Sequence, residues 1–316
     1  MSETARLLDD TLDRLLSRRL ADPQARADAG LPARLVAEIE DSGLPLLLRP
    51  EAAGGFGGRI ADAAVLAWRA GWHAAPVPVV EMLLAPLAEH DGPVRLLQGQ
   101  PPVGPQAAGA AALVVGPEGL APAGGLSAFM PLSRREGARA GASGVPRDPA
   151  LAGRILRWGA LLTAAEMIGV MARVLEISLD YANTRSQFGR PLGRFQAVQH
   201  RMAQAAGELA LTEAALALAL ADEDRPGGPD GLHWRAAKAQ AGTAATRIAT
   251  SAHQVMGAIG FTEDHVLGLY TRRLWDARDD WGRQADCEEA LGRRACADPR
   301  GLWSHLVDQP LQEETV

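Results

Sequence analysis

Two short segments hold the side chains best suited to ligand chemistry. In the first, Tyr181 to Gln199, Arg185, Gln187 and Phe188 stand immediately before Gly189. A guanidinium stays charged at physiological pH and forks onto phosphate oxygens, an amide adds a donor, and a phenyl ring lies against a ribose or an aromatic face. The trio therefore suits a pyrophosphate-bearing ligand. In the second, His253 to Glu263, Gln254 precedes Gly257 and Gly260, and glycine lets a backbone approach a ligand closely. Thr262 followed by Glu263 reads as the N-cap and acidic first turn of a new helix. Taken singly, each segment fits a plain structural role better: an interhelix turn with a surface arginine, and a helix stop followed by a cap.

The elements that position these segments follow from apolar periodicity. Ile155 to Tyr181, Phe195 to Ala221, Leu232 to Met256, and Glu263 to about Leu291 each repeat apolar residues at helical spacing and are separated by Gly or Pro. Four long helices with short connections predict an antiparallel four-helix bundle over residues 151–316. The alanine-rich second and third of these favour close helix approach. Residues 1–89 form a helical N-terminal domain, with Leu7, Leu8, Leu12, Leu15 and Leu16 on one stripe and Leu35, Val36 and Ile39 on another. The glycine-rich turn from Pro50 to Gly58 interrupts it. Residues 90–150, rich in Gly, Pro and Ala, offer only short strands at Ala111 to Val115 and Leu126 to Phe129, so a reduced middle β domain is expected. The fold class is mainly α.

Composition excludes several functions. With 316 residues and 47% hydrophobic content the chain can fill real cores. A net charge of −6 gives no basic field for nucleic acid. No uninterrupted apolar run approaches the length of a membrane span and the first twenty residues lack a signal-peptide core, so a cytoplasmic protein with no membrane partner is expected. His200, His253 and His265 lack paired ligand spacing, and Cys287 and Cys296 lack partnering histidines; no metal is expected. Arg272 and Arg273 fit either ion pairs with Glu263 or Asp264 or a phosphate contact. Trp275 and Trp281, with Leu274, fit a bundle-end core or a subunit contact.

The two segments together, in this order, closely resemble the C-terminal bundle of acyl-CoA dehydrogenases. That family carries an Arg-x-Gln-Phe-Gly turn, a Phe-Gln-x-x-Gln helix start, and later a Gln-x-x-Gly-x-x-Gly-Phe-Thr segment. The matching residues here are Arg185, Gln187, Phe188 and Gly189, then Phe195, Gln196 and Gln199, then Gln254, Gly257, Gly260, Phe261 and Thr262. Pro50 to Gly57 is similar to the family's Pro-Glu-x-x-Gly-Gly-x-Gly turn. The resemblance implies an oligomeric flavoprotein that binds FAD across a subunit boundary and dehydrogenates an acyl-CoA between its α and β carbons. An electron acceptor flavoprotein would serve as the redox partner. It gives Arg185, Gln187, Phe188, Gln254 and Gly257 the role of clamping the ADP half of FAD.

Departures from the family pattern bear on catalysis. The middle section lacks the family's Thr-Glu-Pro-x-x-Gly-Ser-like loop and its Trp-Ile-Thr/Ser strand against the isoalloxazine ring. No catalytic Glu stands in the expected place near the end of the bundle; Asp280 falls closest, and an exposed, solvated Asp280 competes with a role as base. The alternative catalytic position of some members maps near Gly159, which has no carboxylate. The favoured expectation is a subunit that supplies the nucleotide clamp while a longer paralogue supplies the base, in a heterotetramer with two chains of each kind (α2β2). The alternatives are a self-sufficient enzyme, homo-oligomeric and using Asp280, and a non-catalytic helical scaffold.

Overall fold

A computed structural model describes residues 3–21, 26, 28–88, 94–97, 111–116, 119–122, 148–226, 228–229, 231–297 and 299. The N-terminal helices are α1 (Glu3–Leu20), α2 (Leu31–Asp41), α3 (Ile60–Trp72) and the short α4 (Val79–Leu84). The predicted stripes are the buried ones: Leu12 and Leu16 of α1 and Leu35 and Ile39 of α2 enter the core, while Leu7 lies on the far side of its helix. Among the described residues three short strands follow, β1 (Val94–Leu97), β2 (Ala111–Gly116) and β3 (Gly119–Pro122). β1 runs parallel to β2, with Val94 opposite Ala111, and β2 runs antiparallel to β3, with Gly116 opposite Gly119. The first expected strand coincides with β2; the second, from Leu126 to Phe129, lies outside the described residues.

The bundle begins at α5 (Pro149–Thr184), whose start is set by Pro149 in the first turn and by the Asp148 carboxylate, which accepts from the backbone N–H groups of Ala150 and Leu151 at 2.9 and 3.0 Å. Every residue from Gly159 to Met171 is buried. A helix buried on all sides and mostly apolar belongs inside a domain, and α5 is the shaft on which the other helices pack. Two glycines allow α3 to lie directly on it. A side chain at Gly71 would sit 2.0 Å from the Glu166 carbonyl oxygen, and one at Gly169 would sit 2.0 Å from that of Trp68. A hairpin of β4 (Ser186–Gln187) and β5 (Arg190–Pro191) then leads into α6 (Gln196–Glu223), and α7 (His233–Met256) returns beside it. The Arg157 guanidinium donates to both Glu223 oxygens, at 2.8 and 3.2 Å, and fastens the start of α5 to the end of α6.

The last part of the bundle departs from expectation. Residues 263–291, read above as one helix, form α8 (Leu267–Asp279) and α9 (Gln284–Ala297). The break falls at Trp281 and Gly282, whose φ angles are +53 and +124; neither is helical, and for Trp the left-handed region is strained. Thr262 does not open a helix either. A 3-10 turn, Gly257–Phe261, precedes it, the Thr262 hydroxyl donates back to Ile259 O at 2.8 Å, and α8 starts five residues later. There His265 Nδ1 accepts from Leu267 N at 3.1 Å and satisfies one of the unpaired donors of the first turn.

Candidate functional site

Arg185 ends α5 in an extended conformation, and the hairpin after it reverses through Phe188 (φ +51) and Gly189 (φ +79). Positive φ at both central residues is the I′ geometry that Asn-Gly or Gly-Gly adopts without strain. Phe in the first of those positions carries a backbone cost of about 1–3 kcal/mol. It also gains no burial, being 91% exposed. Its edge meets the Phe195 ring at 6.2 Å, and the Arg190 guanidinium lies over Phe195 at 4.1 Å, so the ring cluster is held from within the hairpin. A strained, exposed phenyl ring has no explanation in the packing of this chain alone.

The second segment lies at the same end of the bundle. Ala182, Met202 and Val255 form a small apolar cluster, with Leu175, Tyr181 and Val198 packed around it. It joins the end of α5, the start of α6 and the end of α7. Val255 is the neighbour of Gln254, and Ala182 precedes Arg185 by three residues, so one cluster draws both segments together. Gly257 ends α7 at φ +63, and a side chain built there would meet nothing within 4 Å. Arg185, Gln187, Phe188, Gln254 and Gly257 are all exposed. They lie on the surface at one end of the bundle, not in its core. Beside Gln254, His253 stacks on Phe261 at 4.5 Å and faces Trp275 at 6.4 Å, its Nε2 paired with Thr271 Oγ1 at 3.1 Å. Burial lowers the His253 pKa, which favours the neutral ring inside this stack.

Cysteine and arginine positions resolve open readings. Cys287 is buried and Cys296 exposed, both as free thiols. Arg273 pairs with neither Glu263 nor Asp264. Its Nε donates to Glu166 Oε1 at 2.7 Å and its Nη2 to Val77 O at 3.4 Å, tying α8 to α5 and to the segment before α4. Burial alone would lower the Arg273 pKa, but the Glu166 carboxylate, aided by Glu81 and Asp280, raises it. Leu274 and Trp281 are core residues, whereas Trp275 is 46% exposed.

The carboxylates near the end of α8 divide sharply. Asp280 is exposed. Glu81, not singled out by the sequence, accepts from Trp281 Nε1 at 3.2 Å, and burial pushes its carboxyl above the ordinary range against the bonds it receives. The Trp281 indole lies against Gly159: a side-chain carbon added there would be 2.1 Å from Trp281 Cε3. Gly159, near which the resemblance places the alternative base position, is thus covered by an indole.

Comparison with known proteins agrees with this frame. Residues 149–275 match the C-terminal domain of acyl-CoA dehydrogenases. The chain is 30% identical over 306 residues to acyl-CoA dehydrogenase IpdE2 of Mycobacterium tuberculosis, covering 86% of this chain and 91% of the relative. IpdE2 of Mycolicibacterium smegmatis is 29% identical over 300 residues, covering 86% and 93%. Among solved structures, the Tcur3481-Tcur3483 steroid ACAD variant superposes with a TM-score of 0.76 at 27% identity, covering 92% of this chain and 97% of that one. The ChsE4-ChsE5 complex from Mycobacterium tuberculosis gives a TM-score of 0.74 at 20% identity, covering 95% and 99%. The chain belongs to the acyl-CoA dehydrogenase family, FAD-dependent oxidoreductases that act on acyl-CoA.

Proposed function

We propose that this chain is the nucleotide-clamp subunit of a heteromeric acyl-CoA dehydrogenase, with a longer paralogue providing the isoalloxazine cradle and the base. The carrying observation is Phe188: strained, 91% exposed, and at the same end of the bundle as the exposed Arg185, Gln187, Gln254 and Gly257. Exposed groups of these types fit the ADP half of an FAD that the partner holds by its other half. When bound, FAD accepts the hydride from the substrate β carbon. The residues of this chain do the positioning. The Arg185 guanidinium takes pyrophosphate oxygens, the Gln187 and Gln254 amides add donors, and Gly257 leaves room for the ligand against the backbone.

Proton abstraction falls to the partner on this reading. A base must reach the substrate and be desolvated; Asp280 is exposed, and Gly159 is covered by Trp281. The partner has a place to dock. By length and composition α6 is apolar enough to cross a bilayer, yet only 22% of its apolar stretch is buried in this chain. Leu211 and Leu218 are 55% and 57% exposed on it, among exposed Ala203, Ala210, Ala214 and Ala217. A smooth apolar helix face of this kind is typical of obligate subunit interfaces. Two of the structural relatives, Tcur3481-Tcur3483 and the ChsE4-ChsE5 complex, are paired proteins, which supports a paired assembly here, with two chains of each kind and an electron acceptor flavoprotein taking the reducing equivalents. Co-expression with the paralogue followed by light scattering tests it. A mixed tetramer carrying FAD is expected; a fully active, FAD-loaded assembly of this chain alone would overturn the proposal.

A further inference from the structure

We infer that Trp281 is a plug: its indole, gripped by Glu81 on one side and by a turn that Lys238 fastens on the other, fills the space over Gly159 that an acyl chain would need, so this subunit closes its own substrate site. The inference rests on the proposed division of labour, in which the alternative base position near Gly159 is unused here, and it adds a physical reason why an acyl chain would not enter beside it.

Two independent signs point to the turn at residues 280–282. The first is strain. Trp281 is 3% exposed at φ +53, so a bulky side chain is buried on a backbone that favours glycine. The second is a set of buried ionisable groups that no surface ion pair explains. Lys238 is the sole lysine of the sequence and is fully buried. Its Nζ donates to Ala277 O at 3.2 Å and Arg278 O at 2.8 Å, the last carbonyls of α8, which would otherwise lack partners. Asp279, Asp280 and Cys287 also face it, and Arg278 opposes it. Lys238 is thus a positioning residue: by ending α8 at Asp279 it directs the next residue but one, Trp281, inward. From the other side the Glu81 carboxylate receives the indole N–H, and Arg273, bonded to Glu166, closes the cluster.

The fit between ring and helix is specific. Any side chain at residue 159 would collide with the indole, since its first carbon would lie 2.1, 2.3 and 2.8 Å from three ring atoms. The wall that a substrate would touch is therefore already in contact with protein. Removing the indole opens a cavity against Gly159, beside Glu81 and the Arg273–Glu166 pair, and a cavity with an apolar wall can take up a hydrocarbon chain.

Calorimetric titration of the full-length chain with CoA, octanoyl-CoA and octanoate tests the plug. In the wild-type chain octanoyl-CoA is expected to bind no more than about twofold tighter than CoA, and octanoate not to bind. In Trp281→Ala the octanoyl group is expected to improve affinity over CoA about tenfold or more, as burial of a few methylenes does. Trp281→Phe should keep the plug, and Lys238→Met should give a smaller gain than Trp281→Ala. Trp281→Val takes its place if the alanine variant does not fold. A wild-type chain that already binds octanoyl-CoA about tenfold tighter than CoA, or a folded plug-less variant that gains nothing from the octanoyl group, overturns the inference. A variant that binds octanoate but not octanoyl-CoA has a cavity that is not a thioester site and overturns it equally. No flavin takes part, so failure of the nucleotide clamp leaves this result unaffected.

Discussion

Replacing Gly159 by Ala measures how tightly the indole is seated. The new methyl carbon would stand 2.1 Å from Trp281 Cε3, and ordinary contact begins at 3.4 Å. The clash is with a ring held at both ends, since the Trp281 backbone is fixed by its turn and Nε1 by Glu81 at 3.2 Å. Forcing it outward costs about 1–3 kcal/mol as overpacking. Losing the indole-to-carboxyl bond in a buried setting costs about 1–3 kcal/mol more. Against this, Ala is better than Gly inside a helix by about 1 kcal/mol. The balance is about 3 kcal/mol of destabilisation, or a fall in Tm of about 4–5 °C for a chain of 316 residues. Thermal unfolding followed by circular dichroism reads the loss, and adding Trp281→Leu to the Gly159→Ala chain should recover part of it, because the smaller side chain frees the space. A Gly159→Ala chain as stable as wild type would show that the ring is not locked against α5.

Four further outcomes follow from the same geometry. Arg185→Ala in the assembled enzyme should weaken FAD about ten- to a hundredfold, the value of roughly 1.5–3 kcal/mol for a charge-assisted contact, read by flavin retention on dialysis; full retention would remove Arg185 from the clamp. Phe188→Asn places a favoured residue in the I′ turn and should stabilise the isolated chain by about 1 kcal/mol while weakening FAD binding; equal flavin affinity would make the strained ring functionless. Lys238, held at about 8 by burial, keeps its proton to higher pH in the unfolded chain than in the folded one. Stability should therefore rise by about 3 kcal/mol between pH 8 and pH 10.5, and denaturant titrations of Lys238→Met against wild type should show that rise missing. Asp280→Asn, at an exposed site, should leave turnover of the reconstituted enzyme within about twofold; a loss of about a hundredfold, as expected for removing a general base, would restore Asp280 as the catalytic carboxylate.

The long helices were legible because their signal is local. α5, α6 and α7 end within a few residues of the apolar runs that announce them, and their punctuation by Pro149, Gly189 and Gly257 reads directly. The end of the bundle was not legible. Leu267, Leu274 and Trp281 keep helical phase, so periodicity continues across a break that only the backbone of Trp281 and Gly282 reveals. Thr262-Glu263 carries the composition of a cap, but the 3-10 turn before it captures the Thr262 hydroxyl. The proposed clamp residues could be named from resemblance, but the cluster of Ala182, Met202 and Val255 that brings the helix ends carrying them together has no mark in the sequence. Glu81 was missed for a related reason: its partner Trp281 lies 200 residues away. Trp281 and Leu274 were readable as a bundle-end core, but the buried Lys238, the sole lysine of the sequence, carries no local mark of its place at that junction.

The most direct measurement is the visible absorption spectrum of the purified chain, alone and after co-expression with its longer paralogue. A clamp subunit without an isoalloxazine cradle should be colourless alone and should co-purify with a flavin spectrum when paired, with the flavin bleached by an acyl-CoA substrate. A yellow chain that is bleached by acyl-CoA without any partner would contradict the account.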